Sequence, residues 1–181
     1  MLQRVDHLRL LARYNAWMNE RLYATAMKLT DEELAADRKA FFGSILATLN
    51  HITVADSIWL KRFATHPDGL PALEPMLSWP IPGLDEGWPY ADIRSLWQRR
   101  QALDAMIPAW TENLREENLD LPLTFTMRSG DTYTYAFFPL VAHCFNHQVH
   151  HRGQVTTLLS QAGLDMGDTD LVTIVPPLDR C

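Results

Sequence analysis

Residues 143–154 read HCFNHQVHHRGQ and hold four of the seven histidines of this 181-residue chain. The surrounding apolar residues recur at helical spacing, so we predict that the stretch is helical. Residues four apart share a helix face, which places His143, His147 and His151 on one stripe. Two imidazoles one turn apart can bind one metal ion, but His143 and His151 are roughly 12 Å apart along the axis. The stretch predicts a two-histidine half-site that needs a third ligand.

The composition indicates a single globular domain over residues 1–181. Hydrophobic residues make up 47% of the chain and charged residues 21%, which is typical of a protein that buries a core. The net charge is −6 and no run of Lys or Arg occurs, so we expect no nucleic-acid and no membrane partner. Cys144 and Cys181 predict no structural disulfide, and with no signal-peptide pattern they favour a cytoplasmic location.

Apolar residues at spacings of three and four predict four long helices, and therefore an all-α four-helix bundle. These helices are expected at about 3–29, 44–65, 90–114 and 136–162. Thr30 followed by Glu33 predicts a short capped helix after the first. Alternating residues at 121–135 predict a small β-hairpin before the last helix. The final residues are interpreted as an extended tail anchored by Leu171, Val172, Ile174 and Val175.

Residues 66–90 are rich in proline, glycine and tryptophan, which predicts a long crossover loop without regular structure. One interpretation is a lid or binding loop. The other is a connection that packs Trp79 and Trp88 into the core, and we favour this second interpretation.

His51 on the predicted second helix is a candidate third ligand, because small residues flank it one turn away on either side. An i, i+4 histidine pair plus one histidine from a neighbouring helix makes a three-nitrogen metal site. Three protein ligands leave one coordination position open, as in catalytic zinc sites. From the residues alone, the pair is either His143 with His147 or His147 with His151.

Asn15, Thr48 and Arg100 are candidate pocket residues. Asn15 interrupts the apolar stripe of the first helix, as a buried register-setting amide or as a substrate contact. Thr48 lies one turn before His51. Arg100 interrupts the third stripe and either reaches solvent or binds an anion. Cys144 is either a small buried apolar residue or a competing ligand beside the histidines.

Three motifs resemble those of the DinB family of metal-binding four-helix proteins. They are YNAWMN at 14–19, FGSILATLNHI at 42–52 and NHQVHHRGQ at 146–154. The resemblance implies an up-down-down-up four-helix bundle, usually a homodimer, that holds a divalent metal, often zinc or nickel. The family's name refers to induction by DNA damage and implies no DNA binding.

The resemblance implies that His51, His147 and His151 are the metal ligands and that His143 and His150 lie outside the set. Residues 152–154, Arg-Gly-Gln, are interpreted as structural. The glycine would let a neighbouring helix approach closely, and the glutamine would support a histidine.

The resemblance also implies a class of function. Some relatives are transferases or isomerases that use a low-molecular-weight thiol such as bacillithiol or mycothiol. Our leading hypothesis is a metal- and thiol-dependent transferase acting on a small-molecule substrate. One alternative is metal-assisted hydrolysis, although the nearby Asp56 is expected to face away from the histidines. The other is a non-enzymatic, stress-associated dimer stapled by its metal.

Overall fold

The computed structural model describes residues 3–81, 87–127 and 129–177, and these are mostly helical. In chain order, the helices are α1 (Arg4–Ala26), α2 (Asp31–Ala35), α3 (Ile45–Phe63), α4 (Pro75–Ser78), α5 (Ile93–Asn113), α6 (Glu116–Asp120) and α7 (Phe137–Gln161). Strands β1 (Pro122–Thr126) and β2 (Thr132–Ala136) pair antiparallel before α7, with Leu123 opposite Tyr135. The described part of the chain has no helix long and apolar enough to cross a membrane.

Caps set the helix ends where the sequence predicts them. Ser44 Oγ accepts a hydrogen bond from the backbone N–H of Ala47, and Thr30 Oγ1 accepts one from Glu33. These side-chain oxygens satisfy N–H groups that have no partner within the helix. Gly163, just after α7, adopts a φ of +80°, which favours glycine at a helix C-terminus.

The long helices pack around two apolar clusters. α1 and α3 each contact both α5 and α7. The first cluster includes Phe63, Trp110 and Phe137, near the start of α7, and the second includes Leu22 and Leu159, near its end. The expectation of an all-α bundle with a small hairpin is therefore met by the described residues.

The prediction that residues 66–90 lack regular structure is wrong for residues 71–78. Residues 71–73 form a 3-10 turn, α4 follows it, and Leu73 and Met76 are buried in the first cluster. Proline begins both turns, where its missing N–H costs nothing. Helical turns this short depend on burial of one or two side chains and carry little periodic signal.

The two tryptophans of this segment behave differently. Trp79 is partly buried, and the Arg99 guanidinium lies 3.8 Å from its ring centroid. Trp88 stays 38% exposed, so its predicted place in the core is wrong. Pro82 and Gly83 of the predicted loop lie outside the described residues.

The predicted apolar anchoring of the tail is also wrong. Residues 171–174 form a 3-10 turn with no buried side chain, and Val172 is 70% exposed. Polar contacts hold the tail, together with Leu164 and Met166, which pack against the second apolar cluster. Tyr14 Oη donates to the Thr169 carbonyl (2.6 Å) and Arg21 Nη2 donates to the Met166 carbonyl (2.5 Å). Cys181 lies outside the described residues.

Candidate metal centre

Three histidines meet where α3 faces α7. One ligand nitrogen from each of His51, His147 and His151 lies within 4.8 Å of the other two. The Nε2 atoms of His51 and His147 are 3.0 Å apart. The His151 ring centroid is 4.6 Å from that of His51 and 4.4 Å from that of His147. The structure thus brings together the three histidines that the family motifs implied, and we call them the triad.

The chemistry of the triad fits a divalent metal. Nitrogen ligands about 2.0–2.1 Å from a tetrahedral zinc are roughly 3.3 Å apart, close to the separation of the His51 and His147 nitrogens. His151 Nδ1 lies 2.8 Å from Gln154 Oε1. Because an amide oxygen only accepts, Nδ1 is the donor and His151 Nε2 is left as the free ligand atom.

The protonation of the triad also suits metal binding, which requires neutral imidazoles. Burial, together with the neighbouring imidazoles, lowers the pKa of His51 and His147 to about 4. Burial also lowers the pKa of His151, although its hydrogen bond with Gln154 acts in the opposite direction. All three rings are therefore neutral at physiological pH.

The competing candidates lie beside the triad. His143 is exposed, 6.0 Å from the His147 ring, and packs edge-on against Trp59 at 5.1 Å. His150 is exposed, and its Nε2 lies 3.3 Å from the Gln154 amide nitrogen. Cys144 is buried in the first apolar cluster, and burial raises its pKa. A buried thiol with a raised pKa is a poor ligand beside three neutral imidazoles.

Aromatic side chains cover one flank of the triad. The Phe42 ring stacks on His51 at 4.1 Å and lies 5.4 Å from His151. Trp88 lies 5.6 Å from Phe42 and 6.3 Å from His51. The sequence analysis placed Trp88 in the core, so this wall was not predicted.

A layer of hydrogen-bonded polar side chains crosses the bundle between the two apolar clusters. Its members come from all four long helices and are Asn15, Asn19, Asp56, Arg100, Asp104, Gln148 and Arg152. Arg100 is buried between two carboxylates, donating to Asp56 Oδ2 and lying 2.9 Å from Asp104 Oδ1. Two arginines and two aspartates balance in charge, which is how a low-dielectric interior holds ions.

The polar layer sets the rotation of α7. Gln148 Nε2 donates to Asp56 Oδ2 (2.7 Å), and Arg152 donates to Asn15 Oδ1. These two α7 residues each follow a triad histidine by one position, and successive helix residues are about 100° apart. Holding Gln148 and Arg152 toward the bundle interior therefore turns His147 and His151 toward α3.

The three candidate pocket residues are all buried. Asn15 and Arg100 belong to the polar layer, and Thr48 Oγ1 donates to the Ser44 carbonyl (2.8 Å). Their contact with a substrate stays a prediction. Asp56 binds Arg100 and Gln148 and not the triad, as expected from its position on α3.

One interpretation of the 152–154 motif is wrong. A Cβ atom added to Gly153 would meet no described residue within 4 Å, so no helix of the described chain packs closely on this glycine. Gln154 does bind His151, as the sequence interpretation proposed.

Comparison with known proteins identifies the family. The profile of the DinB family matches residues 1–175. The chain belongs to the DinB family. It is 26% identical to Protein DinB of Bacillus subtilis (strain 168) over 162 residues, which cover 88% of each chain. The DinB resemblance of the helix motifs is thus confirmed.

The free energy of unfolding of this DinB-family protein should depend on pH through the protonation of the triad histidines. Without metal, the wild type is expected to lose more stability between about pH 6.5 and 4 than a His51→Gln/His147→Gln double variant. Both histidines titrate near 4 when folded and near 6.5 when unfolded. Their contribution is therefore present above about pH 6.5 and is lost as the pH falls through about 4.

Urea unfolding at a series of pH values measures this difference. Asp104 has its pKa raised by burial to about 6, so its contribution is lost as the pH rises, but it is common to both proteins. His143→Gln, at an exposed position, should follow the wild type. Parallel curves for the wild type and the double variant would contradict the expectation.

Proposed function

We propose that this protein binds a divalent metal at an open three-histidine site and acts as a metal- and thiol-dependent transferase. The observation that carries the proposal is the clustering of one nitrogen each from His51, His147 and His151 within 4.8 Å. Three protein ligands leave a position free for a cosubstrate. Imidazole ligands suit zinc and nickel, which are the metals we propose.

A metal held by the triad would supply a Lewis acid that lowers the pKa of a thiol. The residues around it perform the other tasks. Gln154 holds His151 in the tautomer that leaves Nε2 free. Phe42 and Trp88 place apolar rings beside the triad and reduce the access of water from that side. The electrophile would meet the thiol over this aromatic wall.

The proposal also covers the helix order, the oligomeric state and the cellular location of the protein. We propose an up-down-down-up order of the long helices, a homodimer, and a small-molecule substrate in the cytoplasm. Membership of the DinB family supports these statements together with the packing of α1 and α3 against both α5 and α7.

A metal that only staples the helices is the second candidate function. The triad joins α3 to α7 across 96 positions of the chain, so a bound metal stabilises the bundle whether or not it does chemistry. Hydrolysis has less support, because the nearby Asp56 carboxylate is bound by Arg100 and Gln148 and does not face the triad.

Metal content tests the assignment of the ligands. His147→Ala is expected to lose stoichiometric metal, because two nitrogens remain, whereas His143→Ala retains it. Elemental analysis of proteins purified in parallel gives the ratio of metal to chain. Retention of metal in both variants would contradict the assignment of His147 as a metal ligand.

Activity separates the transferase from the staple. The metal-loaded protein is expected to join a low-molecular-weight thiol to at least one member of a panel of epoxides and activated halides. His147→Ala should lose that activity. If no thiol and electrophile in the panel react, the transferase proposal is abandoned and the metal staple stands.

A further inference from the structure

A groove of about 440 Å³ runs beside the triad, between the loop that precedes α3 and the outer face of α7. Its lining includes Arg38, Lys39, Phe41, His150, Gly153 and Gln154. The groove shares a wall with the metal centre. Gln154 is bonded to His151 at 2.8 Å, and Phe41 lies edge-on to Phe42 at 4.8 Å. The groove is therefore one residue away from the triad, because Gln154 and Phe41 line it and the triad histidines do not.

The charges along the groove favour an anion. Its lining has two cationic side chains, amides and a hydroxyl, and contains no carboxylate. Lys39 Nζ is already paired with Asp37 Oδ2 at 2.5 Å. Arg38 Nη2 donates to the backbone carbonyl of Glu33 (3.1 Å), and its Nε is buried, which leaves the Nη groups as the atoms that a ligand would contact. No carboxylate oxygen of the residues that the structure describes lies within 4.0 Å of the Arg38 guanidinium.

Gly153 is an independent indication of a ligand. A glycine inside a helix costs about 1 kcal/mol relative to alanine, and α7 continues well past this position on both sides. Packing within the described part of the chain does not need the glycine, because an added Cβ would meet nothing there within 4 Å. Gly153 lines the groove, so any larger side chain there would occupy space that is now open beside Gln154.

We propose that this groove binds the anionic arm, a carboxylate or a phosphate group, of the small molecule whose reactive atom takes the free position of the triad. Guanidinium groups bind planar and tetrahedral oxyanions through paired N–H donors, which assigns Arg38 the main contact. The polar, cationic lining suits a small anion better than a helix of a second copy. The part about the reactive atom rests on the proposed function, whereas anion binding does not require catalysis.

The test follows backbone amide NMR signals of the zinc-loaded protein during titration with succinate and, separately, with methyl phosphate. The amides of Lys39 and Gly153 are expected to shift and saturate. Arg38→Gln should weaken binding about tenfold or more, since hydrogen bonds to charged groups are the strong ones, and Arg38→Lys should weaken it less. Gly153→Leu should abolish binding by filling the groove, and Gly153→Ala, which adds a single methyl group beside Gln154, should weaken it less.

The two anions distinguish the possible chemical groups of the ligand. Binding of succinate alone assigns a carboxylate arm, binding of methyl phosphate alone assigns a phosphate arm, and both support the groove. Unchanged affinity in Arg38→Gln, or the absence of shifts at Lys39 and Gly153, overturns it. A change of oligomeric state in Gly153→Leu also overturns it, because the face is then an interface between copies.

Controls keep the two proposals apart. Circular dichroism checks that Gly153→Leu is folded, and Arg38→Gln carries the test if it is not. Metal content should match the wild type in every groove variant. If the protein binds anions but does not conjugate thiols, the transferase proposal fails and the anion site stands. If it conjugates thiols at a rate that neither succinate, methyl phosphate nor the Arg38→Gln substitution changes, the anion site fails and the transferase proposal stands.

Discussion

Replacing Arg100 with methionine is expected to lower the free energy of unfolding by about 3–5 kcal/mol, because it leaves buried carboxylates without their cation. Arg100 is 1% exposed and contacts both Asp56 and Asp104. Burial already raises the pKa of both carboxyls, and the guanidinium counteracts that rise. Without it, the two acids must take up protons or draw water into the bundle.

Urea unfolding monitored by circular dichroism at pH 7 measures the loss. Arg94→Met is the matched control, since it makes the same change at an exposed position on α5 and should stay within about 0.5 kcal/mol of the wild type. A loss below about 1 kcal/mol in Arg100→Met would show that the polar layer does not hold the helices together. Lowering the pH toward 5 should narrow the gap, because protonated carboxyls no longer need the cation.

Metal binding is expected to raise the free energy of unfolding by about 4 kcal/mol when free metal is a thousandfold above its Kd. The reason is linkage: the triad exists only when α3 and α7 are packed, so the metal binds the folded chain. His51 and His147 are 96 positions apart, and the unfolded chain brings them together rarely. Zinc and nickel should both produce the effect.

Thermal unfolding with metal and with a chelator measures this stabilisation. His147→Ala should show no metal-dependent shift, whereas His143→Ala should shift like the wild type. Equal shifts in both variants would place the metal elsewhere. A shift that matches the wild type in His51→Ala would remove α3 from the site and leave the metal on α7 alone.

The long helices could be predicted because each carries its own local signals. The cap at Ser44 and the stop at Gly163 act on backbone groups within a few residues, and the cap at Thr30 marks even the short α2. α4 and α6 were missed because helices of four and five residues are too short to display a period. Their conformation depends on burying side chains such as Met76 and Leu119 against distant helices.

The polar layer was visible only in part. Asn15 and Arg100 interrupt apolar stripes, so the sequence indicated polar groups at core positions. Their partners, such as Asp104 and Arg152, could not be identified, because hydrogen bonding across helices depends on how the helices are rotated. The interpretation of Gly153 as a point of close helix contact was wrong for the same reason. A glycine in a helix does not by itself show whether another helix or open space lies opposite.

The sequence by itself determined the one-turn spacing of His147 and His151, because that spacing follows from helix geometry within a few residues. The tertiary structure brought His51, which the sequence had offered as a candidate ligand, to the histidine pair, and it alone decided that Phe42 covers one flank and that Gly153 opens onto a cationic groove. These features join segments far apart in the chain. Their positions follow from the buried polar layer and the apolar clusters, which set how α7 is turned against its neighbours.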